Sequence, residues 1–142
     1  MDTPVPLSQA PLHVWASPAT IQCGFPSPAE DHRQKRLDLN DFLIHQADAT
    51  FFMRVRGSSM RDADIDDGDY VIVDRSIQAQ HGHIIVAVVD GEFTIKRLFR
   101  KRGCVRLLAA NPTFPNIEFK EGQELIVWGV VTWAFKNITP VA

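Results

Sequence analysis

The sequence predicts a mostly β fold, a compact and strongly bent, barrel-like sheet preceded by an extended N-terminal arm with one short helix. Three observations lead there. Short runs rich in β-branched and aromatic residues recur from Thr50 to Phe135, tight-turn signals separate them, and six of the nine prolines crowd in before Ala29. With 142 residues, 45% of them hydrophobic, the chain has the size and apolar content of one ordinary domain.

In chain order, Pro4, Pro6, Pro11, Pro18, Pro26 and Pro28 interrupt the opening segment, which has neither helical nor strand periodicity over a useful length. Residues 1–36 therefore read as an extended arm and 37–142 as the β-rich domain. Leu12, Val14, Trp15 and Ile21 make the arm more apolar than a linker, so parts of it are expected to lie against a folded surface. A charged run from Asp31 to Arg36 follows. Asp38 or Asn40 then offers a cap ahead of Phe42, Leu43 and Ile44, and one brief helix is expected. Strands are predicted at 50–55, 70–74, 84–89, 93–99, 104–109 and 124–135. Asp67-Gly68-Asp69, His81-Gly82-His83 and Asp90-Gly91-Glu92 supply the turns, the last of them as a β-hairpin.

Composition excludes several classes of function. A formal net charge of -2 leaves no excess of cations to neutralise a phosphate backbone or an anionic membrane, so direct charge-driven DNA binding is not expected. The longest apolar runs, 84–89 and 126–131, fall far short of the roughly 20 residues of a spanning helix. Met1-Asp2-Thr3-Pro4 lacks the basic start of a secretory signal, and a cytoplasmic protein is expected. Cys23 and Cys104 have no CxxC spacing and read as free thiols; the five histidines have no ligand spacing, and His81 and His83 flank a turn glycine. The acidic run from Asp62 to Asp69 fails as a calcium loop, because Asp67 stands where the loop needs glycine and Val73 where it needs an acid. No metal or cofactor site is read in the sequence.

Three places can carry chemistry. In Gly57-Ser58-Ser59-Met60, a serine at a strand-to-turn junction exposes its hydroxyl, while the glycine lets neighbouring N–H groups converge on an oxyanion; Gly-Ser-Ser is also ordinary turn composition. Lys96 alternates with Thr94 and Leu98 on one strand face. Buried there it would lose its proton readily and serve as a general base; exposed, it is a strand lysine with a solvated head. Cys23-Gly24 is a small pair in a mobile arm, suited to enter a narrow proteolytic cleft.

Taken in order and spacing, Cys23-Gly24-Phe25-Pro26-Ser27-Pro28-Ala29, Leu37-Asp38-Leu39-Asn40, Gly57-Ser58-Ser59-Met60, Asp67-Gly68-Asp69 with Ile72-Val73-Asp74, His81-Gly82 and the stretch from Asp90 to Lys96 resemble the UmuD branch of the LexA-like self-cleaving peptidases. The resemblance covers nearly the whole chain after the first twenty residues. It implies Ser59 as nucleophile, Lys96 as neutral general base, the Cys23–Gly24 peptide as the bond cut, and the backbone N–H groups of Ser58 and Ser59 as the oxyanion hole. The family often carries aspartate where this chain has Ser58, so any role of that carboxylate is absent. The resemblance further implies a homodimer without cofactor, cleavage stimulated by a RecA filament on single-stranded DNA, and a shortened product that joins a UmuC-like, error-prone Y-family polymerase subunit in damage-induced mutagenesis.

Two relatives in chemistry fit less well: a LexA repressor needs a helix-turn-helix domain ahead of the peptidase, and a leader peptidase needs a membrane anchor. A non-enzymatic β adaptor that binds a polymerase is the alternative reading. The apolar end from Val127 to Phe135 fits either a dimer contact or a buried strand.

Overall fold

A computed structural model of the chain describes residues 5–6, 13–17, 20–21, 23–24, 35–120 and 123–141. They fall into two units, Met1–Leu7 with Gln46–Ala142, and Ser8–His45. Leu12, Pro4, Pro11, Pro18, Pro26, Pro28 and residues 31–34 of the charged run lie outside the described residues.

The smaller unit holds β2 (His13–Ala16) paired antiparallel with β3 (Lys35–Asp38), followed by α1 (Leu39–Leu43). Asp38 is the N-cap of α1, its carboxylate accepting from Asn40 N–H at 3.0 Å, and the helix ends within two turns. The two strands fall in and at the edge of the segment read as an extended arm, where no strand was expected. His13-Val14-Trp15-Ala16 and Lys35-Arg36-Leu37-Asp38 do not alternate apolar with polar, which is why the pattern missed them. Val14, Trp15 and Ile21 are exposed, a two-stranded ribbon having too little mass to cover the first two, whereas Val5 and Pro6 of the arm pair with a strand of the larger unit, in line with the expectation that parts of the arm lie against a folded surface.

The larger unit is an eight-stranded antiparallel sheet, strongly curved but not closed. β1 (Val5–Pro6) edges it, followed in space by β4 (Thr50–Arg54), β5 (Tyr70–Asp74), β10 (Ile126–Phe135), β6 (Ile84–Val89), β7 (Glu92–Lys101), β8 (Cys104–Leu108) and β9 (Ile117–Phe119). β10 changes partner along its length, pairing β6 with its first half and β5 with its second, with register shifts at Val127/Gly129 and Val131/Trp133. Such bulges bend the strand and let the sheet wrap.

The wrapping buries both faces. Met53, Val55, Met60, Ile65, Val71, Val73, Val86 and Ile95 form one core, and Ile85, Ala87, Leu98, Leu107 and Val130 the other. Hence β6 reads as a continuous apolar run instead of alternating, Ile85, Val86 and Ala87 all being fully buried. Asp90 and Gly91, with φ of 50° and 78°, close a two-residue hairpin between β6 and β7 as expected for Asp-Gly. Arg102 and Gly103 close the β7–β8 hairpin in the same way, φ 52° and 75°, without that sequence signal. The end of β10 is divided: Gly129 and Val130 are buried, whereas Trp133 is 39% exposed.

Candidate active site

Ser59 lies in the connection between β4 and β5. Met60 and Ile65 pin this connection into the first core, at 1% and 3% exposure. Gly57, at φ +91°, turns the chain just ahead of the serine, and its N–H donates to Asp67 Oδ1 at 2.8 Å. The acidic run is thus a turn, as expected, and the carboxylates of Asp66, Asp67 and Asp69 are engaged within the protein. Asp69 Oδ2 accepts from Asp66 N–H and from Lys136 Nζ.

Lys96 lies in β7 opposite Ile85, on the face shared with Thr94 and Leu98. It is 8% exposed, so the solvated-lysine alternative does not hold. Nζ lies 2.9 Å from Ser59 Oγ, 3.0 Å from Thr94 Oγ1 and 3.1 Å from the Ile95 carbonyl oxygen. Desolvation by burial pushes the Lys96 ammonium below the ordinary lysine range. A neutral amine has two N–H donors and one lone pair. Three partners match that inventory: the Ile95 carbonyl can only accept, Thr94 Oγ1 can accept, and the lone pair is left for the Ser59 hydroxyl proton.

Ser59, Lys96, Thr94, Gly57, Phe93 and Phe114 are among the residues lining an open cleft of about 230 Å³. That is below the roughly 300–1,000 Å³ of small-molecule pockets and suits a narrow peptide segment. Among the described residues, the backbone N–H groups of Ser58 and Ser59 donate to no protein group. The carbonyl of Ser58 accepts from Asn111 Nδ2 at 2.8 Å and from Arg61 N–H at 3.3 Å, and that of Ser59 from Ala110 N–H at 2.7 Å.

Ser59 and Lys96 therefore meet, across 37 positions of sequence. Cys23 and Gly24 belong to the other unit and are exposed, and Phe25 to Ala29 of the same motif lie outside the described residues. Cys23 and Cys104 are free thiols. His81 and His83 act as turn acceptors, for Arg100 N–H and Gln80 N–H respectively. No group of metal-ligating side chains occurs among the described residues, and none of the described helices is long and apolar enough to cross a membrane.

Sequence reasoning overlooked Thr94 as a lysine partner and Asn111 as a support of the serine turn. The Asn111-Pro112 dipeptide, a turn initiator, was the available signal for the second.

A curved β domain that holds a serine hydroxyl against a desolvated amine has the make-up of a serine peptidase working without histidine. Comparison with known proteins agrees. Residues 14–132 match the Peptidase S24-like family. The chain is 46% identical over 114 residues to Protein MucA of Salmonella typhimurium, covering 79% of this chain and 77% of that one. It is 43% identical over 112 residues to Protein ImpA of the same organism, covering 78% and 75%, and 42% identical over 125 residues to Protein SamA of its strain LT2, covering 88% and 84%. The chain belongs to the Peptidase S24-like family of self-cleaving serine peptidases, in its UmuD-type, LexA-like branch.

Proposed function

We propose that this protein cuts its own chain between Cys23 and Gly24, with Ser59 as nucleophile and Lys96 as general base. The observation that carries the reading is the 2.9 Å approach of Lys96 Nζ to Ser59 Oγ on a buried, desolvated amine. The neutral amine takes the hydroxyl proton as Ser59 Oγ attacks the Cys23 carbonyl carbon. The resulting oxyanion accepts from the Ser58 and Ser59 N–H groups. Collapse breaks the bond to the Gly24 nitrogen, which leaves as an amine with the proton held by Lys96. Water then hydrolyses the Cys23 ester on Ser59, with Lys96 again as base, and frees both fragments. Thr94 Oγ1 and the Ile95 carbonyl hold the two N–H groups of the amine, so that its lone pair faces the hydroxyl.

Residues 1–36 are the cleavable arm in this reading and 37–142 the peptidase domain. A tethered substrate reaches high effective concentration, so a site that would be slow on a free peptide suffices. The family supports the remaining parts: a cytoplasmic homodimer, stimulation by a RecA filament on single-stranded DNA, and a shortened product that serves a UmuC-like, error-prone polymerase in the SOS response.

The test is the intact mass of purified protein after incubation at alkaline pH, beside Ser59→Ala and Lys96→Arg. A fragment beginning at Gly24 is expected from the unaltered chain alone, since arginine cannot give up its proton at these pH values. The same fragment from Ser59→Ala would exclude Ser59 as nucleophile. No fragment from any chain, even with activated RecA filaments, would favour a non-enzymatic β adaptor.

A further inference from the structure

The turn that carries Ser59 is held from one side by two consecutive residues. Both carbonyls flanking the Ser59 side chain, its own and that of Ser58, accept from the segment after β8, through Ala110 N–H and Asn111 Nδ2. Asn111 is 4% exposed, and its Oδ1 accepts from Thr113 N–H at 3.1 Å and from Thr113 Oγ1 at 2.9 Å. A backbone N–H can only donate, so the atom facing Thr113 is the oxygen, and the donor Nδ2 is left to face Ser58.

A trans peptide is planar, and its N–H points opposite to its C=O. Asn111 Nδ2 is the nearer of two donors to the Ser58 carbonyl, the other being Arg61 N–H at 3.3 Å, and it holds the Ser59 N–H in the direction away from itself. We propose that Asn111 is a positioning residue for the oxyanion hole: it touches no reacting atom but clamps the Ser58–Ser59 peptide so that the Ser59 N–H is already aimed when charge develops on the Cys23 carbonyl. The proposal rests on the reading of Ser59 as nucleophile. Donors that need no reorientation during the reaction are the source of oxyanion stabilisation, so a free peptide plane at this position costs rate rather than binding.

The experiment follows self-cleavage of the full chain by intact mass across pH, for the unaltered protein, Asn111→Ala, Thr113→Val and Ser59→Ala, with thermal unfolding of each. Asn111→Ala removes the shorter of the two bonds to the Ser58 carbonyl and leaves the longer one from Arg61 N–H, and its plateau rate is expected to fall roughly 10- to 100-fold, less than the about 10²- to 10³-fold of deleting an oxyanion donor itself. Thr113→Val leaves Nδ2 in place but removes one of two donors that lock the amide, and a loss of roughly fivefold is expected, the equivalent of one ordinary hydrogen bond. In both variants the pH midpoint stays where it was, because the three partners of Lys96 Nζ are untouched. A turn that had simply loosened would carry Ser59 Oγ away from the amine and move the midpoint. An unchanged plateau in Asn111→Ala, a shifted midpoint, or rates that return to normal on cooling to full folding would overturn the proposal. If Asn111→Ala does not fold, an unchanged rate in Thr113→Val does the same. Failure of the underlying reading is distinguishable: it is a Gly24 fragment from Ser59→Ala, or none from the unaltered chain.

Discussion

Replacing Lys96 by methionine should reveal what the folded domain loses by keeping an amine dry. The comparison is made in a Ser59→Ala background, so that neither protein cuts itself, and unfolding by urea is followed at a series of pH values. The folded Lys96 has its pKa below the ordinary 10.5 because burial removes it from water, whereas the unfolded lysine titrates near 10.5. Between those two values the unfolded state binds more protons than the folded one, so folding stability rises with pH. Below the lowered pKa both states are protonated and the difference is flat at its least favourable for lysine; above 10.5 both are neutral and it is flat again. Methionine does not titrate. The stability of the lysine protein relative to the methionine protein should therefore climb inside the window with a slope approaching, and never exceeding, about 1.36 kcal/mol per pH unit, the value for one proton. Other titrating groups are common to both chains and cancel. The foot of this climb should coincide with the pH midpoint of self-cleavage in the unaltered protein, since one amine governs both. A difference that is flat from neutral pH to 10.5, or that falls with pH, would refute a desolvated Lys96 and with it the neutral base.

Two further outcomes follow from the same geometry. Thr94→Val removes one of the three Nζ partners; cleavage should slow roughly fivefold for one lost hydrogen bond, and the pH midpoint should move down, because the ammonium loses an acceptor it holds more strongly than the amine does. A pH–rate profile reads both effects. Gly129→Ala should destabilise the domain by about 1–3 kcal/mol in urea unfolding, because its Cβ would stand 2.6 Å from Cγ1 of the fully buried Val73, a stiff β-branched side chain. In combination with Val73→Ala the two losses should be less than additive.

Much of the fold was legible because its strands are long enough to carry a pattern. The run Tyr70–Asp74 and the hairpin at Asp90-Gly91 fall where expected, as does the short helix capped at Asp38. β9 alternates but over only three residues, and β2 and β3 do not alternate at all; these were missed. At the site, Ser59 and Lys96 stood out locally, one by its turn and one by its apolar neighbours. Their meeting is a long-range fact that no local pattern encodes, and only the motif resemblance linked them. Asn111 is harder still: a buried asparagine and a surface turn asparagine look alike until the Ser58 carbonyl is seen beside it.

One local event assembles both halves of the site. β8 pairs with β7 up to Leu108, which sits opposite Arg97, and Ala109 N–H then donates to Asn116 Oδ1 at 3.0 Å. Pairing thus ends one residue before it would reach Lys96. On that side no strand among the described residues neighbours the lysine, which leaves room for its amine to meet a hydroxyl while Ile85 lies opposite it in β6. The chain released from the ladder crosses to the serine turn. There Ala110 both donates to the Ser59 carbonyl and accepts from Asp62 N–H at 2.7 Å, and Asn111 takes hold of Ser58. Extending β8 by one paired residue would cover the amine and withdraw the support of the turn together. It follows that Asn116→Ala, which frees the Ala109 N–H to look for another acceptor, should slow self-cleavage although Asn116 touches neither Ser59 nor Lys96. Hydrogen exchange at Ala109 and Ala110, compared with that of the unaltered chain, would measure the loosening, and unchanged exchange with unchanged rate would remove this coupling from the account.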